Sequence, residues 1–272
     1  MQRPNLELWI GAKALIGAAL LLVPLQALAQ AAADPLDEAQ ACARRNLPTT
    51  TLEMRATFTK IDRIGGERES RAKLIGKKLE DGMLRAVLRF DRPPDVRGTA
   101  MLMIENPNGA SDFFVFSPDE HRVRRVSGRS SGGLFGTDFS YDDFENWRGF
   151  AKRSRSERLD DAVEAGRPVY VLSGTPAPGE DSSYERVTSY IDRETCVVLR
   201  IDSFQPGAKL RKVLRADPAS IEKTGNVSIA RAIVLEDLLD ETRTRVAIDT
   251  IKLDVDLPDR LFRQTDLSSG GK

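Results

Sequence analysis

From Leu52 onward the chain alternates apolar and polar positions with a period of two: Leu52, Met54, Ala56 and Phe58 interleave with Glu53, Arg55, Thr57 and Thr59. Successive side chains of a strand point to opposite faces, so this pattern predicts a strand with one wet face. Similar runs recur at residues 71–80, 84–90, 99–105, 112–117 and 122–127, then at 169–173, 184–192, 197–204, 210–216, 227–235 and 244–255. Polar turns such as Asn106-Pro107-Asn108-Gly109 and Ser117-Pro118-Asp119-Glu120 separate several of them, as antiparallel hairpins require. Short strands at regular spacing, with no long linker, predict one domain built on a curved sheet or open barrel.

Three segments depart from this period. Asp34 is placed to cap a helix that Pro35 begins, and good helix formers follow as far as Pro48, which predicts a helix over 35–45. Ser140 followed by Asp142 and Asp143 predicts a short helix over 140–148, and Leu257–Phe262 predicts a short terminal one. Two strand segments, Met101–Ile104 and Phe113–Phe116, are apolar on both faces. Such strands need cover on both sides, so material must lie on the concave as well as the convex face of the sheet.

The N-terminus has a composition of its own. Arg3 and Lys13 precede the apolar run Ala14–Val23, and residues 24–29 end in an Ala-x-Ala pattern at Ala27 and Ala29, the organisation of a secretory signal peptide. The apolar run is about half of the roughly 20 residues that a spanning helix needs, and Pro24 breaks the chain directly after it. Residues 1–29 are therefore expected to be cleaved, leaving 30–272 as a single domain outside the cytoplasm. No cysteine follows the cut that could be lipidated. Cys42 and Cys196 then lie in an oxidising compartment, which favours a disulfide over two buried thiols. A bridge closing so long a loop is worth somewhat more than about 4 kcal/mol in the chain-entropy model.

Composition narrows the chemistry. Lys plus Arg and Asp plus Glu number 41 each, so no net field recruits nucleic acid. His121 is the single histidine and sits in a predicted turn, leaving little for triads or multi-histidine metal sites. The glycine-rich stretch Ser127–Gly136 matches neither phosphate-binding fingerprint, and no Gly-x-Ser-x-Gly elbow is present. Arg122, Arg124, Arg125 and Arg129 read as a solvated strand and its turn. The carboxylates Asp138, Asp142, Asp143 and Glu145 read as the charged face and first turn of a short helix, with acid–base work the less economical alternative. No catalytic residue, metal or cofactor is expected. Met101 and Met103, whose flexible side chains adapt to irregular apolar partners, fit either an ordinary core or a cavity wall.

Five segments carry a family resemblance: Arg97–Glu105, Phe113–Pro118, Arg122–Ser127, Tyr190–Cys196 and, most specific of all, Phe135-Gly136-Thr137-Asp138-Phe139-Ser140-Tyr141-Asp142-Asp143-Phe144. They resemble the LolA-like outer-membrane lipoprotein-sorting protein family, in the branch often found with RND-type exporters, over roughly residues 50–262. The resemblance implies a mainly β fold with short helices: a strongly curved antiparallel sheet, or incomplete β-barrel, under a helical lid with an apolar cavity between them. It further implies a monomeric periplasmic carrier that shelters a lipid or the acyl chains of a lipoprotein on the way to the outer membrane, with an inner-membrane RND-type exporter as a partner. A lipid-sensing regulatory module of the same fold is the alternative. The cavity is expected to be lined from Met54, Phe58, Leu88, Phe90, Met101, Met103, Phe114 and Phe116. Gly136, Thr137, Asp138, Phe139, Ser140, Tyr141 and Asp143 carry over as a family marker without an assigned duty.

Overall fold

The computed structural model describes residues 34–46, 50–106, 109–126, 133–146, 155–176, 178–180 and 182–269. The expected signal peptide, Pro107 and Asn108 of an expected turn, and Ser127–Gly132 of the glycine-rich stretch lie outside them. Helix α1 (Pro35–Arg45) forms where the sequence predicts it. The Asp34 carboxylate accepts the Leu36 backbone N–H at 2.9 Å, Asp37 and Glu38 occupy the positive N-terminal turn, and Arg44 and Arg45 the negative C-terminal one.

Strands β1 (Thr51–Ile61), β2 (Glu67–Lys78), β3 (Leu84–Arg92), β4 (Ala100–Asn106), β5 (Gly109–Ser117) and β6 (Arg122–Val126) form a meander. Helix α2 (Tyr141–Asn146) follows, and then β7 (Arg155–Glu164), β8 (Arg167–Thr175), β9 (Arg186–Asp192), β10 (Val198–Gln205) and β11 (Lys209–Ala216). The chain ends with β12 (Ile221–Thr224), β13 (Val227–Ala230), β14 (Ala232–Asp237) and β15 (Thr242–Leu253). Thirteen of these strands make one antiparallel sheet, ordered β6-β5-β4-β3-β2-β1-β15-β14-β11-β10-β9-β8-β7, while β12 and β13 form a separate hairpin. The sheet does not close, since β6 and β7 each have a single neighbour. The predicted run 227–235 is thus split between the small hairpin and β14. Strand β7 escapes the periodicity because its ten residues are mostly charged and none is buried, as suits a sheet edge.

Register fixes the two faces. Ile251, Met54, Leu74, Leu88, Met101 and Val115 stand opposite one another across six strands, a continuous apolar row on the concave face. One residue along, Ile75, Val87, Leu102 and Phe114 make a second row on the convex face. This second row is covered by the C-terminal segment, whose 3-10 turns Asp259–Phe262 and Gln264–Ser269 bury Phe262 and Leu267 against it. Arg89 donates to the Leu267 carbonyl at 2.6 Å and Lys77 to that of Leu257 at 2.8 Å, tying the strap down. Both faces of β4 and β5 are therefore covered, as their double-sided apolar sequence demands. On the concave side α1 packs Ala39, Cys42 and Ala43 onto Tyr170, Leu172 and Ile191.

Candidate functional site

Between the concave face and α1 lies a cavity of about 270 Å³. Strands β1 to β4 supply one wall through Met54, Ala56, Phe58, Leu74, Leu88, Met101 and Met103. The facing wall is made by Leu214 and Ala216 of β11, Ile233 of β14, and Val246 and Ile248 of β15. Ala43 of α1 and its C-cap Asn46, Cys196–Val198, Ser228–Ala230 at the small hairpin, and Phe144 of α2 also line the cavity. Among the described residues, none of the lining side chains is charged.

Of the eight expected cavity residues, Met54, Phe58, Leu88, Met101 and Met103 stand in this wall. Phe90 points to the same face but is packed away, its ring 5.9 Å from that of Phe58 and 5.1 Å from that of Phe135. Phe114 and Phe116 lie on the opposite face, beneath the C-terminal strap. Their assignment to the cavity is corrected by register: Phe114 pairs with Leu102, one residue out of phase with Met101 and Met103. Sequence reasoning also missed the whole facing wall, although the spacing of Val246 and Ile248 carries the alternation that would have supplied it.

The marker segment Gly136–Asp143 folds inside the curled sheet, and its carboxylates are not a solvated helix face. Asp138, Asp142 and Asp143 are all buried. The segment starts from Gly133, where a Cβ would overlap the Thr137 carbonyl oxygen, and turns through Gly136 at a φ of 75°, a conformation that costs glycine little. The Asp138 carboxylate accepts the hydroxyls of Thr242 at 2.6 Å and Thr244 at 2.7 Å and pairs with Lys60 at 3.0 Å. One oxygen of Asp143 accepts the Ser140 backbone N–H at 2.7 Å, the Ser140 hydroxyl at 2.8 Å and Lys212 Nζ at 2.7 Å, and the other accepts Tyr184 at 2.8 Å. Lys212 also donates to the Asp138 carbonyl at 2.6 Å. These bonds hold the fully buried Phe139 edge-on to Phe58 at 6.2 Å and stacked on Phe144 at 5.6 Å. The motif is therefore a polar clasp that fixes an aromatic stopper beside the cavity. Lys60 and Lys212, its cationic partners, gave no sequence signal because a lysine in an alternating strand ordinarily reads as a wet position.

Titration follows burial. Burial pushes the Asp142 carboxyl up, with the Ser183 backbone N–H at 2.6 Å partly opposing it. Tyr184 is held well above the usual phenol range by burial and by the adjacent Asp143 charge. Neither arrangement presents a nucleophile with an activating base. Elsewhere, Arg122 and Arg125 of β6 pair with Glu120 and Asp112, and His121 is exposed in its turn. Cys42 and Cys196 form a disulfide that ties α1 to the turn between β9 and β10, and Cys196 lines the cavity.

Solved structures share this architecture. A domain described as an outer-membrane lipoprotein-sorting protein, from Vibrio parahaemolyticus, superposes with a TM-score of 0.77 at 21% identity, covering 86% of this chain and 97% of its own. A DUF1329 family protein from Desulfovibrio piger gives 0.77 at 24% identity over 86% and 97%, and a LolA superfamily protein from Nitrosomonas europaea 0.64 at 18% over 84% and 96%. A family model described as an uncharacterized protein matches residues 82–269. The chain belongs to that family and is LolA-like in fold. No curated protein matches it. In this LolA-like chain the open antiparallel sheet, its concave cavity and the short helices stand as the resemblance implied. Among the described residues, no helix is long and apolar enough to cross a membrane.

Proposed function

We propose that the mature protein is a periplasmic carrier that binds a lipid, or the acyl chains of a lipoprotein, in the concave cavity and passes it toward the outer membrane, working with an RND-type exporter. It acts by binding, without covalent chemistry. The observation that carries this reading is a cavity bounded by apolar side chains from both halves of the sheet and, among the described residues, free of any charged one. Burying a methylene is worth roughly 0.8 kcal/mol, so a sixteen-carbon chain represents about 12 kcal/mol as an upper bound before ordering costs. An uncharged wall suits hydrocarbon, whereas a charged substrate group buried there would find no counter-ion. Met54, Met101 and Met103 give the wall the adaptability that a mobile chain requires.

The test is native mass spectrometry of the protein purified from a periplasmic extract, with organic extraction and lipid identification. A bound mass that extracts as lipid is expected. A ligand-free mass that persists after incubation with total membrane lipid would overturn the carrier reading. Co-purification of an RND-type exporter from crosslinked cells tests the partner separately.

A further inference from the structure

The exposed apolar side chains of the sheet are not scattered. Among the described residues, Ile64 is 87% exposed, Leu238 48% and Leu239 50%, and all three sit in hairpin turns. Turns ordinarily take glycine, proline, asparagine, aspartate or serine, so the Leu238-Leu239 pair between β14 and β15 answers no need of the turn itself. The two turns are neighbours. Ile61, at the end of β1, stands opposite Arg243, near the start of β15, so the β1–β2 and β14–β15 turns leave the sheet at the same end. Their centres are two strand spacings apart, about 10 Å. The β10–β11 turn comes next in line, since the Leu238 backbone N–H donates to the Arg211 carbonyl at 2.9 Å.

Cations flank these tips. Arg63, Lys209 and Arg243 are exposed, and among the described residues their side chains have no ion-pair or hydrogen-bond partner. The nearby carboxylates are mostly engaged. Asp62 accepts the backbone N–H groups of Ile64 at 2.9 Å and Gly66 at 2.7 Å, while Asp237 and Asp240 accept from Arg211 at 2.8 and 2.9 Å. Glu241 then faces three unpaired cations.

We propose that this end of the sheet docks on an anionic phospholipid surface. Ile64, Leu238 and Leu239 enter the boundary between headgroups and acyl chains, and Arg63, Lys209 and Arg243 meet the phosphates. Apolar points set beside cations are what an interfacial lipid contact requires. A protein partner is served less well, because three side chains on separate tips fall far short of the roughly 800 Å² that each side of a specific interface buries. None of the six residues lines the cavity, so the docking surface goes beyond the carrier reading and does not depend on it.

Vesicle flotation of the protein purified from a periplasmic extract tests the contact. The protein should float with vesicles of phosphatidylcholine and phosphatidylglycerol, and bind at least about tenfold less to phosphatidylcholine alone or at high salt. Replacing Ile64, Leu238 and Leu239 together by serine should weaken binding to the anionic vesicles by at least about tenfold. Replacing Arg63, Lys209 and Arg243 together by glutamine should abolish the preference for phosphatidylglycerol. Both triple variants should take up a fluorescent fatty acid as wild type does, which also shows that they are folded. Wild-type protein that stays unbound with both kinds of vesicle, or a serine variant that floats undiminished, would overturn the proposal. Met103→Asp, changed in the cavity wall, should float like wild type. If it sank while the serine variant floated, the vesicle contact would belong to the cavity and the docking surface would fall. The carrier reading is judged separately, by the lipid extracted from the protein.

Discussion

Lys212 Nζ meets the Asp143 carboxylate at 2.7 Å inside the curled sheet, with side chains only 3% and 5% exposed. Strand β11 thereby grips the turn that carries Phe139, across 69 residues of sequence. A charge pair this dry returns its desolvation cost only while every partner is present, and here Ser140, Tyr184 and the Asp138 carbonyl complete it.

Removing both members should therefore cost less than the two separate losses added together. Lys212→Met strands the Asp143 carboxylate and is expected to lower the unfolding free energy by about 3–5 kcal/mol, whereas Lys212→Met combined with Asp143→Leu should cost clearly less than the two single losses added. Urea unfolding of the four proteins, read as a double-mutant cycle, checks this. Simple additivity would mean that the clasp is not a coupled unit.

The disulfide should stabilise the fold and shape the cavity at once, because Ala43 of α1 and its C-cap Asn46 line the site and Cys196 lies in the wall. Replacing both Cys42 and Cys196 by serine is expected to cost about 4 kcal/mol or somewhat less. Bound fatty-acid probe should also dissociate faster from the variant than from the oxidised protein. Stopped-flow release with and without reductant measures the second effect, and identical release rates would show that α1 stays seated by packing alone.

Acid should weaken the same corner. Asp192 is 1% exposed, and although burial pushes its carboxyl up, Arg167 and the Thr195 backbone N–H and hydroxyl outweigh this and hold it below the ordinary carboxylate range. A lowered folded-state pKa contributes stability that is present above the unfolded value, near about 3.9, and is lost as pH falls through the folded value. Asp192→Asn should cost about 1.5–3 kcal/mol at pH 7, and the gap to wild type should shrink steadily below pH of about 4. Thermal unfolding between pH 7 and the acid limit of solubility measures this gap, and a constant difference would contradict the assignment. Since the Asp192 carbonyl accepts the Cys196 backbone N–H at 2.8 Å, the loss should be felt at the bridge.

Local pattern made much of this fold legible. Helix α1 announced itself through Asp34 and Pro35, and the concave row through Met54, Leu88 and Met101, because cap chemistry and a two-residue period are written in adjacent residues. What stayed hidden depends on pairing between distant segments. Whether Phe114 or Phe113 faces the cavity is set by the register of β4 against β5, and that Lys60 and Lys212 are spent inside the sheet depends on where the Gly136–Asp143 turn docks. Strand β7 was illegible for the opposite reason, since an edge with no buried residue carries no apolar alternation.

The two faces of β4 and β5 should separate experimentally. Met103 lines the cavity, while Phe116 lies under the C-terminal strap with Phe262 and Leu267. Met103→Asp puts a carboxylate into a wall with no counter-ion, so uptake of a fluorescent fatty acid should be abolished while the far-UV spectrum is kept. Phe116→Ala instead opens a hole beneath the strap and should cost about 3–5 kcal/mol. It should speed proteolytic release of the segment after Leu257, yet the folded protein should still take up the probe with near-native affinity. If Phe116→Ala lost uptake while its strap stayed protected, Phe116 would act on the cavity through the sheet, and the division of labour between the faces would fail. Loss of uptake in Met103→Asp alone, with strap cleavage in Phe116→Ala alone, is the pattern the register of these strands requires.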